Sequence, residues 1–170
     1  MNARRLFLST ALGLALLAGC AALWHTTFWR FESNGYDRRL LHAIDFANPL
    51  ARTDDAVAQE NRSSTEQQRE ELAAKVAEVM RLTGRAKVAL VGNSRGGNAI
   101  RNYLKNGGAA HVSHVVLGGA TNHGVRAGDD ALGNEFNGKG PFLAQLNAGA
   151  NEVVAGVGFL TLRSDTNDKY

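Results

Sequence analysis

The chain has 170 residues and a formal net charge of +3, from 19 Lys and Arg against 16 Asp and Glu. That length holds one domain with a real core, and 44% hydrophobic with 21% charged residues is an ordinary globular mixture. Arg4 and Arg5 account for two of the positive charges, and no basic run with interleaved aromatics appears, so the charge balance does not argue for nucleic acid. The single cysteine, Cys20, excludes an internal disulfide and a cysteine-based zinc site, and nothing else in the chain implies a metal or a cofactor.

The first 20 residues read as a targeting segment. Arg4-Arg5 precede the apolar run Leu6–Leu17, which closes on Leu17-Ala18-Gly19-Cys20. Those last four residues resemble a bacterial lipobox, in which the cysteine is lipidated and becomes the mature N-terminus. Arg4-Arg5-Leu6-Phe7-Leu8 also resembles a twin-arginine export signal, with Ala3 where Ser or Thr is usual. An ordinary cleaved signal and an uncleaved anchor are the alternatives. The expectation is an exported, periplasmic protein tethered to the membrane through Cys20, with residues 21–170 forming its domain.

The domain then alternates in character. Trp24, Phe28 and Phe31 recur at spacings of four and three, which predicts an amphipathic helix over Ala21–Asn34, with His25 and Trp29 off the apolar stripe. Leu40–Phe46 reads as a short buried strand carrying His42 as a packed histidine, with Asp45 near its carboxyl end. Leu50–Ser63 is polar and reads as a surface loop. Ser63-Ser64-Thr65-Glu66 is a capping-box pattern opening a helix to about Leu82, with Leu72, Val76, Val79 and Met80 on one face. Thr83-Gly84 stops it.

Lys87–Val91 reads as a strand and meets Gly92-Asn93-Ser94-Arg95-Gly96; a helix follows at once to Lys105. A strand, a tight glycine-bounded turn around serine, and a helix make the context of a nucleophile elbow. The turn forces a strained backbone at Ser94 and lifts its hydroxyl above the sheet edge, while Gly92 and Gly96 let strand and helix approach. The glycine spacing Gly92 to Gly97 also matches a phosphate-binding loop, but Asn98 and Ala99 stand where Lys and Ser or Thr are needed. His111–Leu117 is the next strand, running into Thr121-Asn122-His123-Gly124. Val125–Gly140 is a glycine-rich loop, Pro141 opens a short helix through Leu146, and Gly156–Arg163 is a last strand before Asp165 and Asp168. Alternating strands and helices predict an α/β fold with a mainly parallel sheet, whose ligands bind at the carboxyl ends of the strands. Ser94, His123 and Asp165/Asp168 all fall just past strand ends.

With these pieces in hand, the chain resembles an α/β-hydrolase of the bacterial lipase/esterase type over roughly Ala21 to Tyr170. The resemblance implies a partial α/β-hydrolase fold with flanking helices, and a serine carboxylic-ester hydrolase that forms an acyl-enzyme at Ser94. It implies that the backbone N–H of Arg95 is one oxyanion-hole donor, and that Asp168, in preference to Asp165, is the triad acid. The substrate would be a small-molecule or lipid ester.

Two departures qualify that picture. The family order places the base after the acid, yet all five histidines precede Asp168. His123, in its Asn-His-Gly context, reads as a structural loop residue and not as the base. At the front, no strand ending in His-Gly is expected ahead of the first helix, so a second oxyanion donor is missing. Two readings follow: an exported esterase with its base supplied by other sequence, or a non-catalytic, membrane-tethered remnant that binds hydrophobic molecules. Either way, missing sheet strands predict exposed edges and marginal stability.

Overall fold

The fold is taken from a computed structural model, which describes residues 13–18, 21–125, 131–149 and 152–163. In chain order its elements are β1 (Gly13–Ala18), α1 (Ala21–Ser33), β2 (Leu41–Asp45), β3 (Leu50–Ala51), β4 (Arg62–Ser63), α2 (Thr65–Thr83), β5 (Val88–Asn93), α3 (Arg95–Lys105), β6 (Val112–Gly118), α4 (Pro141–Asn147) and β7 (Gly158–Leu162). The main sheet has the order β2-β1-β5-β6-β7, and every pairing in it is parallel. All five strands therefore end on one edge, and the connections that leave that edge converge there. This is a partial α/β-hydrolase fold, a parallel sheet with flanking helices.

The central strand β5 is covered on both faces, and its side chains divide between two cores with a period of two. From β5, Val88 and Leu90 join the core under α2 and α3, beside Leu72, Val76, Val79 and Ile100. Ala89 and Val91 face the other way, onto Trp24, Phe28 and Phe31 of α1. The aromatic spacing in α1 thus marks a buried stripe, with His25 and Trp29 exposed opposite it. β2 splits likewise, Leu41 to the α1 side and Ile44 to the α2 side.

Three local readings are corrected by the structure. The first concerns the front of the sheet. A strand does precede the first helix: Gly13–Ala18, inside the apolar run read as part of an export signal, lies between β2 and β5. Its register runs Leu14↔Leu41 to Ala18↔Asp45 on one side and Gly13↔Val88 to Leu16↔Val91 on the other. The second is the start of α2. Its cap is Ser64, not Ser63: Ser64 Oγ accepts the Gln67 N–H at 3.1 Å, and Gln67 Oε1 accepts the Ser64 N–H at 2.8 Å. The third is the loop between β2 and α2, whose ends pair as the two-residue strands β3 and β4. α2 ends on Gly84 in the left-handed conformation, as Thr83-Gly84 predicts.

Among the described residues, no helix is long and apolar enough to cross a membrane. β7 lies at the margin of the sheet, with Leu160 and Leu162 each about half exposed.

Candidate active site

β5 delivers the chain to Ser94 in an extended run, and α3 begins one residue later. Ser94 sits between them at φ 51°, ψ −125°, one of two non-glycine residues at positive φ among those described. A conformation of that kind costs on the order of 1–3 kcal/mol and persists only where the surroundings impose it. Here they do. Leu90 and Ile100, on either side of the turn, are fully buried, which stabilises the fold by about 2–3 kcal/mol for each side chain. The Ser94 N–H donates to Gly118 O at 3.0 Å, and Asn93 Nδ2 donates to the same carbonyl at 3.0 Å. Ser94 O accepts the Gly97 N–H at 2.9 Å. The side chain of Ser94 makes no capping bond, and the residue is exposed.

Close approach is what the glycines supply. A Cβ on Gly92 would meet Ile100 Cδ1 at 2.7 Å and the Gly96 carbonyl carbon at 2.9 Å. A Cβ on Gly97 would collide with the Cβ of Ala120, just beyond β6. Gly97, which the G-x-S-x-G pattern does not contain, thus sets the fit of α3 against the β6 loop. Asn98 adds a bond across the same seam, its Nδ2 donating to Thr121 Oγ1 at 2.9 Å.

Arg95 is the first residue of α3, and its backbone N–H has no hydrogen-bond partner among the described residues. An open N–H at a helix N-terminus, beside an exposed hydroxyl, can stabilise a developing oxyanion. The side chain of Arg95 runs the other way, into the protein. Its Nε donates to both carboxylate oxygens of Glu135 at 2.9 Å, and Nη2 donates to Glu135 Oε2 at 2.6 Å. Nη1 donates to Pro49 O and to Ser63 Oγ at 2.9 Å each, and Nη2 also donates to Ser63 O at 2.7 Å. The side chains are 10% and 2% exposed for Arg95 and Glu135. Burial raises the Glu135 pKa above its ordinary value, against the lowering effect of the Arg95 hydrogen bonds and charge; the Asp55 carboxylate adds to the rise.

The other residues singled out in the sequence are not all brought together. His123 is mostly exposed; its Nδ1 lies 3.4 Å from Asn147 Nδ2 and its Nε2 lies 3.6 Å from a Glu152 oxygen. Arg101, buried below it, donates to Asn122 O at 3.2 Å, Leu146 O at 3.3 Å and Asn147 Oδ1 at 2.5 Å, tying this loop to the end of α4. Among the described residues no histidine hydrogen-bonds to Ser94. His42 is half-buried in β2, and burial lowers its pKa. Asp45 is exposed at the carboxyl end of β2. Asp165, Asp168 and Cys20 lie outside the described residues. No cluster of three or more His, Cys, Asp or Glu suited to a metal ion occurs among those described.

Sequence reasoning missed Glu135. It stands in a segment without periodicity, 40 residues from its partner. The available signal was Arg95 itself, since an arginine just inside a packed helix needs a buried acceptor.

No protein-family model and no curated protein matches the chain. Solved structures do. The mature lipase BlEst2 of Bacillus licheniformis is similar over 87% of this chain and 55% of its own, with a TM-score of 0.52 and 23% identity. The esterase RhEst1 of a Rhodococcus species aligns with 65% of this chain and 39% of its own, at a TM-score of 0.43 and 22% identity. The Exiguobacterium antarcticum esterase aligns with 69% and 42%, at 0.43 and 20%. The chain spans about half the length of the lipase it resembles.

Proposed function

We propose that the chain carries the nucleophile half of a serine carboxylic-ester hydrolase. The observation that carries the reading is the backbone of Ser94: φ 51°, ψ −125°, exposed, between β5 and α3 at the carboxyl edge of a parallel sheet. Strain at a functional turn that packing on both sides maintains is a reason to look for chemistry there. The similarity in fold to a bacterial lipase supports the same reading.

In the proposed reaction Ser94 Oγ attacks the acyl carbon of an ester, a new C–O bond forms, and the alcohol leaves; water then releases the acid from the acyl-enzyme. The Arg95 N–H donates to the oxyanion, a contact whose loss typically costs about 3–4 kcal/mol in the transition state. Asp168, a few residues past β7, is proposed as the acid that orients the base. No described histidine hydrogen-bonds to Ser94, and turnover is proposed to need a base from outside this chain. Without one, reaction at Ser94 is slow, because an unassisted serine is a poor nucleophile. Export and tethering through Cys20 remain part of the proposal, with a radioactive palmitate label and a Cys20→Ser control as their test.

An active-site-directed fluorophosphonate tests the nucleophile directly, because its phosphorus is electrophilic enough to react with a weakly activated serine. The expected result is covalent labelling of the folded chain that disappears in Ser94→Ala. Well-folded protein that takes no label, at high probe concentration and long incubation, means that the chain is a non-catalytic hydrolase relative.

A further inference from the structure

The side chain of Arg95 carries a second role, distinct from that of its N–H. The guanidinium has five N–H groups, and each has an acceptor: Nε and one Nη2 proton on Glu135, the other Nη2 proton on Ser63 O, and the Nη1 pair on Ser63 Oγ and Pro49 O. Ser63 Oγ donates onward to Asn48 O at 2.5 Å, so the network reaches three residues on the connection between β2 and α2. Glu135 belongs to the connection between β6 and α4. Both connections leave the sheet at the edge that holds Ser94. The one residue that fastens them is the residue that follows Ser94 and opens α3.

We infer that Glu135 is a positioning residue: with Arg95 it forms a buried clamp that fixes the first turn of α3, and so the Arg95 N–H, against the loops after β2 and β6. The inference rests on the reading of Ser94 as nucleophile and the Arg95 N–H as oxyanion donor. The planar five-donor fork is needed for it. Lysine would supply a single point charge and could not satisfy Glu135, Ser63 and Pro49 in three directions. The pair also explains why a carboxylate is buried so close to the elbow. Both carboxylate oxygens of Glu135 accept from Arg95, so the buried pair balances its own charge.

Glu135→Gln tests the clamp, since it keeps the shape and replaces one acceptor oxygen with an amide that repels the Nη2 donor. Two readouts are taken on the folded fraction of wild type and variant. The fluorophosphonate labelling rate constant at Ser94 is expected to fall at least tenfold. Amide hydrogen exchange at Ser94 and Gly97, whose N–H groups donate to Gly118 O and Ser94 O, is expected to quicken at least tenfold, while that of Leu90 and Val115 in the strands stays within twofold. Glu135→Asp, which keeps the charge one methylene short, is expected to recover most of both effects. A purely structural role predicts something else: lower stability and uniformly faster exchange, with an unchanged rate constant per folded molecule. That outcome overturns the inference. If Glu135→Gln does not fold, Ser63→Ala, which removes one acceptor of Nη1, is expected to show the same pattern at about threefold, and a flat result there overturns it equally. Wild-type protein that takes no label sinks the reading of Ser94, and the exchange measurements then decide the clamp by themselves.

Discussion

Gly97→Ala isolates the fit of the elbow helix. The new Cβ would fall on the Cβ of Ala120, with Ala120 Cα at 3.5 Å and Leu117 Cδ2 at 3.6 Å. The atom in the way is bound directly to backbone, so no rotamer change relieves the clash; α3 or the loop after β6 has to move. Overpacking of this kind costs about 1–3 kcal/mol, while replacing a helical glycine by alanine returns about 0.8–1 kcal/mol. The expected balance is a loss of up to about 2 kcal/mol, or a fall in the urea midpoint of up to about 1 M at a slope typical of small domains. Fluorescence of Trp24, buried against α1's side of the sheet, reports the unfolding. Labelling at Ser94 should slow as well, because α3 carries the Arg95 amide with it. Ala120→Gly removes the colliding atom, so the double variant should return to within about 1 kcal/mol of the wild type. A Gly97→Ala protein more stable than the wild type, or a double variant no better than the single, would refute this account of the seam.

Other outcomes follow from the same geometry. Ser94→Gly should raise the unfolding free energy measured in urea by up to about 1 kcal/mol, since glycine accepts φ 51° without strain, although its greater freedom when unfolded offsets part of the gain. Ser64→Ala should cost about 1 kcal/mol in the same assay through loss of the α2 cap. His42 has a folded pKa below its ordinary 6.5, so the unfolded chain binds the proton more readily. Its contribution to stability is therefore present above about pH 6.5 and is lost as pH falls through the folded pKa. A urea series from about pH 7 to pH 5 should show that decline in the wild type and a shallower one in His42→Gln.

The elbow was legible because it is a constraint on the backbone itself. Few residues tolerate the turn, and the pattern around Ser94 spells out the tolerant ones. Helix α2 was legible from its apolar face, but its start was not: Ser63-x-x-Glu66 and Ser64-x-x-Gln67 both satisfy the capping rule. Ser63 is engaged with Asn48 and Arg95, contacts 15 and 32 residues distant, and that leaves the cap to Ser64. β1 was missed for a different reason. A continuous apolar run has the same periodicity in an export signal and in an interior strand of a parallel sheet, and Arg4-Arg5 ahead of it pointed to the first. Glu135 had no local signal, because its partner is fixed only when two loops distant in sequence close on one helix.

The place of β1 has a consequence for any processing of the N-terminus. Strands in a sheet lie about 4.8 Å apart, so cutting the chain ahead of Cys20 would leave β2 and β5 facing each other across about 9.6 Å, two strand spacings. No backbone hydrogen bond spans that gap. β2 would have to slide over and adopt a new register against Val88–Val91, or detach and take Ile44 and Phe46 out of the core with it. A lipidated, trimmed protein and the sheet with β1 at its second position are thus two different molecules. Amide exchange in Leu41–Asp45, measured on the mature cellular product, tells them apart: in the intact sheet this edge strand is protected through its pairing with Leu14–Ala18, and a detached β2 loses that protection.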